Sequence, residues 1–153
     1  MKIINYFVTF VCISFGIAIG FYLLNGYEDK ENIKLANLSS EELIFFKYKE
    51  YNTEDEMKKD VMNLNSYIYT KENDKYHVYL AITKNEKNIS KIKGFFEKKG
   101  YVISEEKIMV SNEHFLKQIE NYDLLLQNTD KEEVIEAIIS GVLEKYEEAV
   151  REN

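Results

Sequence analysis

The stretch Lys75–Glu86, "KYHVYLAITKNE", sets Val78, Leu80 and Ile82 on one side of an alternating run. His77 and Tyr79 fall on the other, a candidate ligand surface. Lys47 and Lys49 alternate in the same way against Ile44, Phe46 and Tyr48. Other chemistries find no arrangement. The acid pairs Glu41/Glu42, Glu105/Glu106, Glu132/Glu133 and Glu147/Glu148 are adjacent in sequence. Such neighbours diverge by about 100° on a helix and point to opposite faces on a strand, so neither geometry makes a catalytic pair. There is no glycine-rich phosphate loop, nucleophile elbow or activated cysteine. The sequence therefore predicts no catalytic residues and no cofactor. His77 and His114 lack a companion Cys or paired His, so no metal site is expected.

Composition narrows the partners. All 27 Asp and Glu lie from Glu28 onward, together with every one of the 20 Lys and Arg except Lys2. That acidic balance disfavours nucleic acid, whose binding depends on many Lys and Arg contacts that release counterions. The lone Cys12 sits in an apolar run, so no disulfide framework exists.

That run, Ile3–Leu24, carries no charge and is about 22 residues long, enough to cross a bilayer as a helix. It exceeds the apolar core of a signal peptide, about 7–15 residues, and no small-x-small cleavage site follows. Residues 1–25 are thus expected to be an uncleaved anchor in the bilayer with a short cytoplasmic end. Lys2 before the run and the acidic "YEDKEN" after it orient the remainder outward. Gly16 and Gly20 form a Gly-x-x-x-Gly pair that could let two anchors pack as a dimer.

Residues 26–42 read as a polar spacer. "LIFFKYKEY" (Leu43–Tyr51) alternates as a strand, and "NTEDEMKKDVMNL" follows as a helix with Thr53 and Glu56 at capping-box spacing. "SYIYTKENDKYHVYLAIT" is predicted to be a hairpin turning near Glu72–Asp74. Then the cycle repeats. "KNEKNISKIKGFFEKKG" gives a helix ended by Gly100 in a left-handed cap, and "YVISEEKIMV" a last strand. Laying the first unit on the second superposes Phe46 on Val78, Tyr48 on Leu80 and Met57 on Ile89. Two helices follow, one capped at Ser111 and one with a capping box at Thr129 and Glu132. The apolar stripe of the second, Val134 to Tyr146, is wide enough to require burial. Its own sheet or the preceding helix is the expected cover, with a partner protein as the alternative.

This β-α-β-β-α-β order, built from two similar halves with corners "KYKEYNTEDEM" and "YLAITKNEKNI", resembles the SPOR domain. That sporulation-related repeat occurs on single-pass envelope proteins of bacteria, and the likeness covers about residues 43–110. It implies an α+β fold: a transmembrane helix, a ferredoxin-like antiparallel sheet, and a helical extension over 111–153. It also implies placement in a bacterial cell membrane, with the domain outside. The implied activity is binding peptidoglycan glycan strands at division or sporulation septa. One sheet face would carry the helices and the other would meet the glycan, through Lys47, Lys49, His77 and Tyr79, flanked by Tyr51, Tyr67 and Tyr69. The chain has Lys47 where the family commonly has Gln, and Lys49 and Ala81 where it has Gly. The other reading is a non-enzymatic scaffold that docks another envelope protein through its sheet or its last helices.

Overall fold

The computed structural model describes residues 40–151. The apolar run, its glycine pair and most of the spacer lie outside the described residues. The order of elements is β1 (Glu41–Tyr51), α1 (Glu54–Val61), β2 (Ile68–Glu72), β3 (Lys75–Thr83), α2 (Ile89–Lys98), β4 (Ser104–Val110), α3 (Glu113–Gln127) and α4 (Glu132–Arg151). The strands form one antiparallel sheet in the order β2-β3-β1-β4. This is an α+β arrangement compatible with a ferredoxin-like fold, with two helices added. β1 already starts at Glu41, inside the expected spacer.

Local chemistry sets the element ends. Thr53 Oγ1 accepts from Glu56 N at 3.3 Å and opens α1. The β2–β3 hairpin turns through Asn73 and Asp74, both at positive φ, where Asn and Asp are best tolerated. Gly100 has φ +81° after α2, the left-handed cap read from the sequence. Two caps differ from expectation. At α3 the capping side chain is Asn112, which accepts from Phe115 N at 2.9 Å, not Ser111. Before α4, Thr129 Oγ1 accepts from Lys131 N, so the capping box with Glu132 is not made. α2 is preceded by a 3-10 turn over Glu86–Asn88, so the α-helix proper begins later than "KNEKN" suggested.

The largest departure is in the sheet. Leu43, Ile44, Phe45 and Phe46 are buried in succession on β1, and Val78 through Thr83 on β3. Successive strand residues point to opposite faces, so both faces of the two central strands are covered. α1 and α2 take one face. Asp60 of α1 accepts from Lys49 and Tyr51, and Lys93 of α2 pairs with Glu105, the register partner of Phe46. On the Phe45 face the ring of Tyr146 from α4 lies 5.2 Å from Phe45 and 5.3 Å from Phe115 of α3. The last two helices are part of the core, not an appended extension.

α4 reaches both sides because β2 is short. β2 pairs only with Lys75–Tyr79, leaving the upper part of β3 without a strand on that side. α4 packs against β3 there. In its first half Glu132 and Glu136 pair with Lys98 and Lys99 at the end of α2, and Ile139 shares a small cavity with Leu80 and Phe95. Two turns later it delivers Tyr146 to Phe45. A helix thereby closes the strand edge that β2 leaves open.

Candidate functional site

The sequence-predicted contacts do not share one face. β1 and β3 carry register shifts between Phe46 and Lys47 and again between Lys47 and Lys49. Each shift breaks simple alternation, as bulges do. Lys47 pairs with Tyr79, whereas Lys49 pairs with Val78. Lys49 therefore joins the side covered by α1 and α2, correcting the expectation that it points with Lys47. Tyr51 goes with it, donating to Asp60 at 2.6 Å, while Lys49 Nζ donates to the same carboxylate at 2.9 Å and lies 4.5 Å from the Tyr48 ring. These bonds, Tyr51's first, hold the Asp60 carboxyl below its usual range. Burial, then the bond to Asp60, pushes the Tyr51 phenol up.

Tyr69 is the register partner of Val78, so it too lies on the α1 and α2 side, 46 % exposed and 6.1 Å from Tyr76. Tyr67 is half-buried against the core. Lys47, His77 and Tyr79 remain together on the Phe45 face.

Tyr79 is only 1 % exposed. Its ring meets Phe45 edge-on at 5.5 Å and its hydroxyl donates to Glu106 Oε2 at 3.0 Å. Burial and that carboxylate push its phenol up to about 12. The ring is thus a core side chain with a satisfied hydroxyl, not a platform for a sugar. Beside it runs a polar strip. Lys47 lies 3.9 Å from Glu106 and 3.5 Å from Glu50, and Lys75 pairs with Glu50 at 2.6 Å. The Lys75 bond holds the Glu50 carboxyl below its ordinary value. His77 Nδ1 is buried, 3.8 Å from Glu50 Oε2, and makes no hydrogen bond.

No protein-family model, curated protein or solved structure matches the chain.

Two features of the region were absent from the sequence reading. One is that Glu50 and Glu106, from β1 and β4, neutralise the lysine expected to meet a ligand. Pairing across strands cannot be read before the register is known. The other is Asp123 on α3, buried beneath the end of β3. It accepts from Thr83 Oγ1, from Lys84 N at 2.9 Å, from Asn85 N at 3.1 Å and from Asn88 Nδ2 at 2.8 Å. Burial pushes its carboxyl up, and the four donors only partly offset that. A signal was present: Asp123 follows Ile119 by four residues and precedes Leu126 by three, so it shares one side of α3 with those apolar residues.

One small cavity, between the ends of α1 and α2 and the first half of α4, is about 60 Å³ and lined by Leu80, Phe95, Phe96 and Ile139 among others. Ligand sites for drug-sized molecules run to about 300–1,000 Å³, so a sugar ring does not fit there. Among the described residues no three His, Cys, Asp or Glu side chains are grouped to hold a metal ion.

Proposed function

We propose that the chain is a non-enzymatic docking scaffold of the bacterial cell envelope, tethered by its N-terminal apolar run. The burial of Tyr79 together with Phe45 carries this reading. A glycan bound as the SPOR resemblance implies needs an open central sheet face, and here that face is occupied by the chain's own rings and by Tyr146. The apolar stripe of α4 is equally committed, with Ile135, Ile138, Ile139, Val142 and Leu143 buried. Docking surfaces are therefore the outer helix faces and the sheet edges.

One observation favours glycan recognition as a second reading. Lys47, Glu50, Lys75 and His77 form a polar strip at the lower end of the Phe45 face, and Glu50 and Lys75 are open to solvent. Against it, Glu50 and Glu106 occupy the lysines and would repel the lactyl carboxylates of the wall polymer.

Sedimentation with purified sacculi, intact and amidase-stripped, separates the two. The scaffold reading expects the protein to stay in the supernatant with both. Retention on stripped sacculi that is lost in Lys47→Glu and His77→Ala variants overturns it in favour of glycan binding.

A further inference from the structure

The two edges of the sheet differ. β2 is five residues long, and α4 packs on the stretch of β3 that it leaves open. β4, the other edge, is seven residues long, and its ladder with β1 runs from Val110 to Ser104 without a register shift. It holds no proline and no glycine. Among the described residues no strand lies beyond it and no loop backbone hydrogen-bonds to it. Natural sheets shorten, bulge, charge or cover such an edge, because its unpaired N–H and C=O groups recruit another strand. Here the only guard is charge, in the run Glu105, Glu106 and Lys107.

Those charges fit a second copy of the same strand. A strand added antiparallel across a two-fold axis sets side chains of the same face opposite each other, so the axis passes through a residue. With the axis at Glu106, Glu105 of each copy stands opposite Lys107 of the other, a favourable cross-strand pair made twice. Ser104 then faces Ile108, and Ile103 faces Met109, which is 60 % exposed. Glu106 meets its own mate on the axis, but each carboxylate brings its own partners, the Tyr79 hydroxyl at 3.0 Å and Lys47 at 3.9 Å. An axis at Glu105 opposes two glutamates and sets Ser104 against Glu106. An axis at Lys107 opposes two lysines and sets Glu106 against Ile108. Of the three, only the Glu106 register opposes unlike charges. Within each chain Glu105 pairs with Lys93, and Lys107 with Glu42 at 2.8 Å. The row Lys93, Glu105, Lys107, Glu42 therefore alternates in sign across the seam, with its first two members from one copy and its last two from the other.

We propose that the chain forms a two-fold dimer through β4, in the register centred on Glu106, so that two four-stranded sheets become one continuous sheet. The dimer uses only the β4 edge and stands apart from the docking reading above, which the sacculus experiment tests.

Cysteine cross-linking reads the register. Cys12 is the only native cysteine, so single cysteines are placed in the full chain carrying Cys12→Ser and oxidised in mild detergent. Residues directly opposite in an antiparallel pair have Cα atoms about 4.5–5.5 Å apart, within disulfide reach, whereas diagonal neighbours at about 7–8 Å are beyond it. Glu106→Cys is therefore expected to cross-link with itself. Glu105→Cys and Lys107→Cys are expected to cross-link when mixed and not when alone. Met62→Cys, 77 % exposed at the end of α1, is the control for random encounter and for pairing through the N-terminal run. The Glu106→Cys dimer should form roughly tenfold or more faster than the Met62→Cys dimer, because opposed thiols share a high effective concentration. Equal rates at the two positions, or no cross-link at Glu106→Cys and none in the Glu105→Cys and Lys107→Cys mixture, overturns the dimer. Self-cross-linking at Lys107→Cys in place of Glu106→Cys overturns the register.

Discussion

Ending the chain at Val110 removes α3 and α4 and leaves the β-α-β-β-α-β body intact in sequence. If those helices were an extension, the remainder would fold. The structure argues otherwise. Phe45 loses Tyr146, Leu80 loses Ile139, and Leu43 and Ile82, on the Phe45 face, lose the same cover. Exposing four such side chains costs about 1.5–3 kcal/mol each, roughly 6–12 kcal/mol together. The helices' own burial is not counted, because the entropy of ordering them disappears with them. Asn88 and the amides of Lys84 and Asn85 also lose the Asp123 carboxylate. A domain of this size has about 5–15 kcal/mol of stability in all. A fragment of residues 40–110 is therefore expected to show no cooperative urea transition by far-UV circular dichroism and no tyrosine signal in the near-UV. A sigmoidal transition, with the tyrosines still in a fixed environment, would refute the claim that the terminal helices belong to the core.

Asp123→Ala strands several buried donors and should cost about 3–5 kcal/mol by urea denaturation, whereas Asp123→Asn keeps one acceptor oxygen and should cost less. A loss under about 1 kcal/mol for the alanine variant would mean the clamp is incidental. Tyr79→Phe removes the bond to Glu106, about 0.5–1.5 kcal/mol at pH 8. Because the native phenol is pushed up to about 12 and an unfolded one ionises near 10, the folded state holds that proton more tightly. Its contribution is complete below about pH 10 and is lost as pH rises toward 12, so the gap between wild type and variant should close over that range. A gap that stays constant from pH 8 to 11 would contradict the burial of the hydroxyl.

The element order, the Asn73–Asp74 turn and the Gly100 cap were legible because each rests on local chemistry: alternation, turn residues and left-handed glycine. Residue facing was legible only down to the first register shift. Alternation puts Lys47 and Lys49 together, and the shifts at Phe46–Lys49 separate them, with no glycine in the stretch to announce it. The cover over Phe45 was unreadable for another reason. Tyr146 lies a hundred residues downstream, and a wide apolar stripe states that a helix must be buried without stating against what. Asp123 shows the converse: an acid in line with Ile119 and Leu126 of α3 marked an internal polar partner whose identity only the fold supplies.

The central strand is made first and sealed last. β1 emerges at the start of the domain, but the ring that lids Phe45 and the backbone carbonyl of Ala149 that takes Asn112 belong to the final turns of α4. A nascent chain must therefore hold back β1 until α4 has emerged. A chain cut before Tyr146 in α4 would uncover Phe45 to proteases. Synthesis order and quality control are thus tied together by where one tyrosine sits.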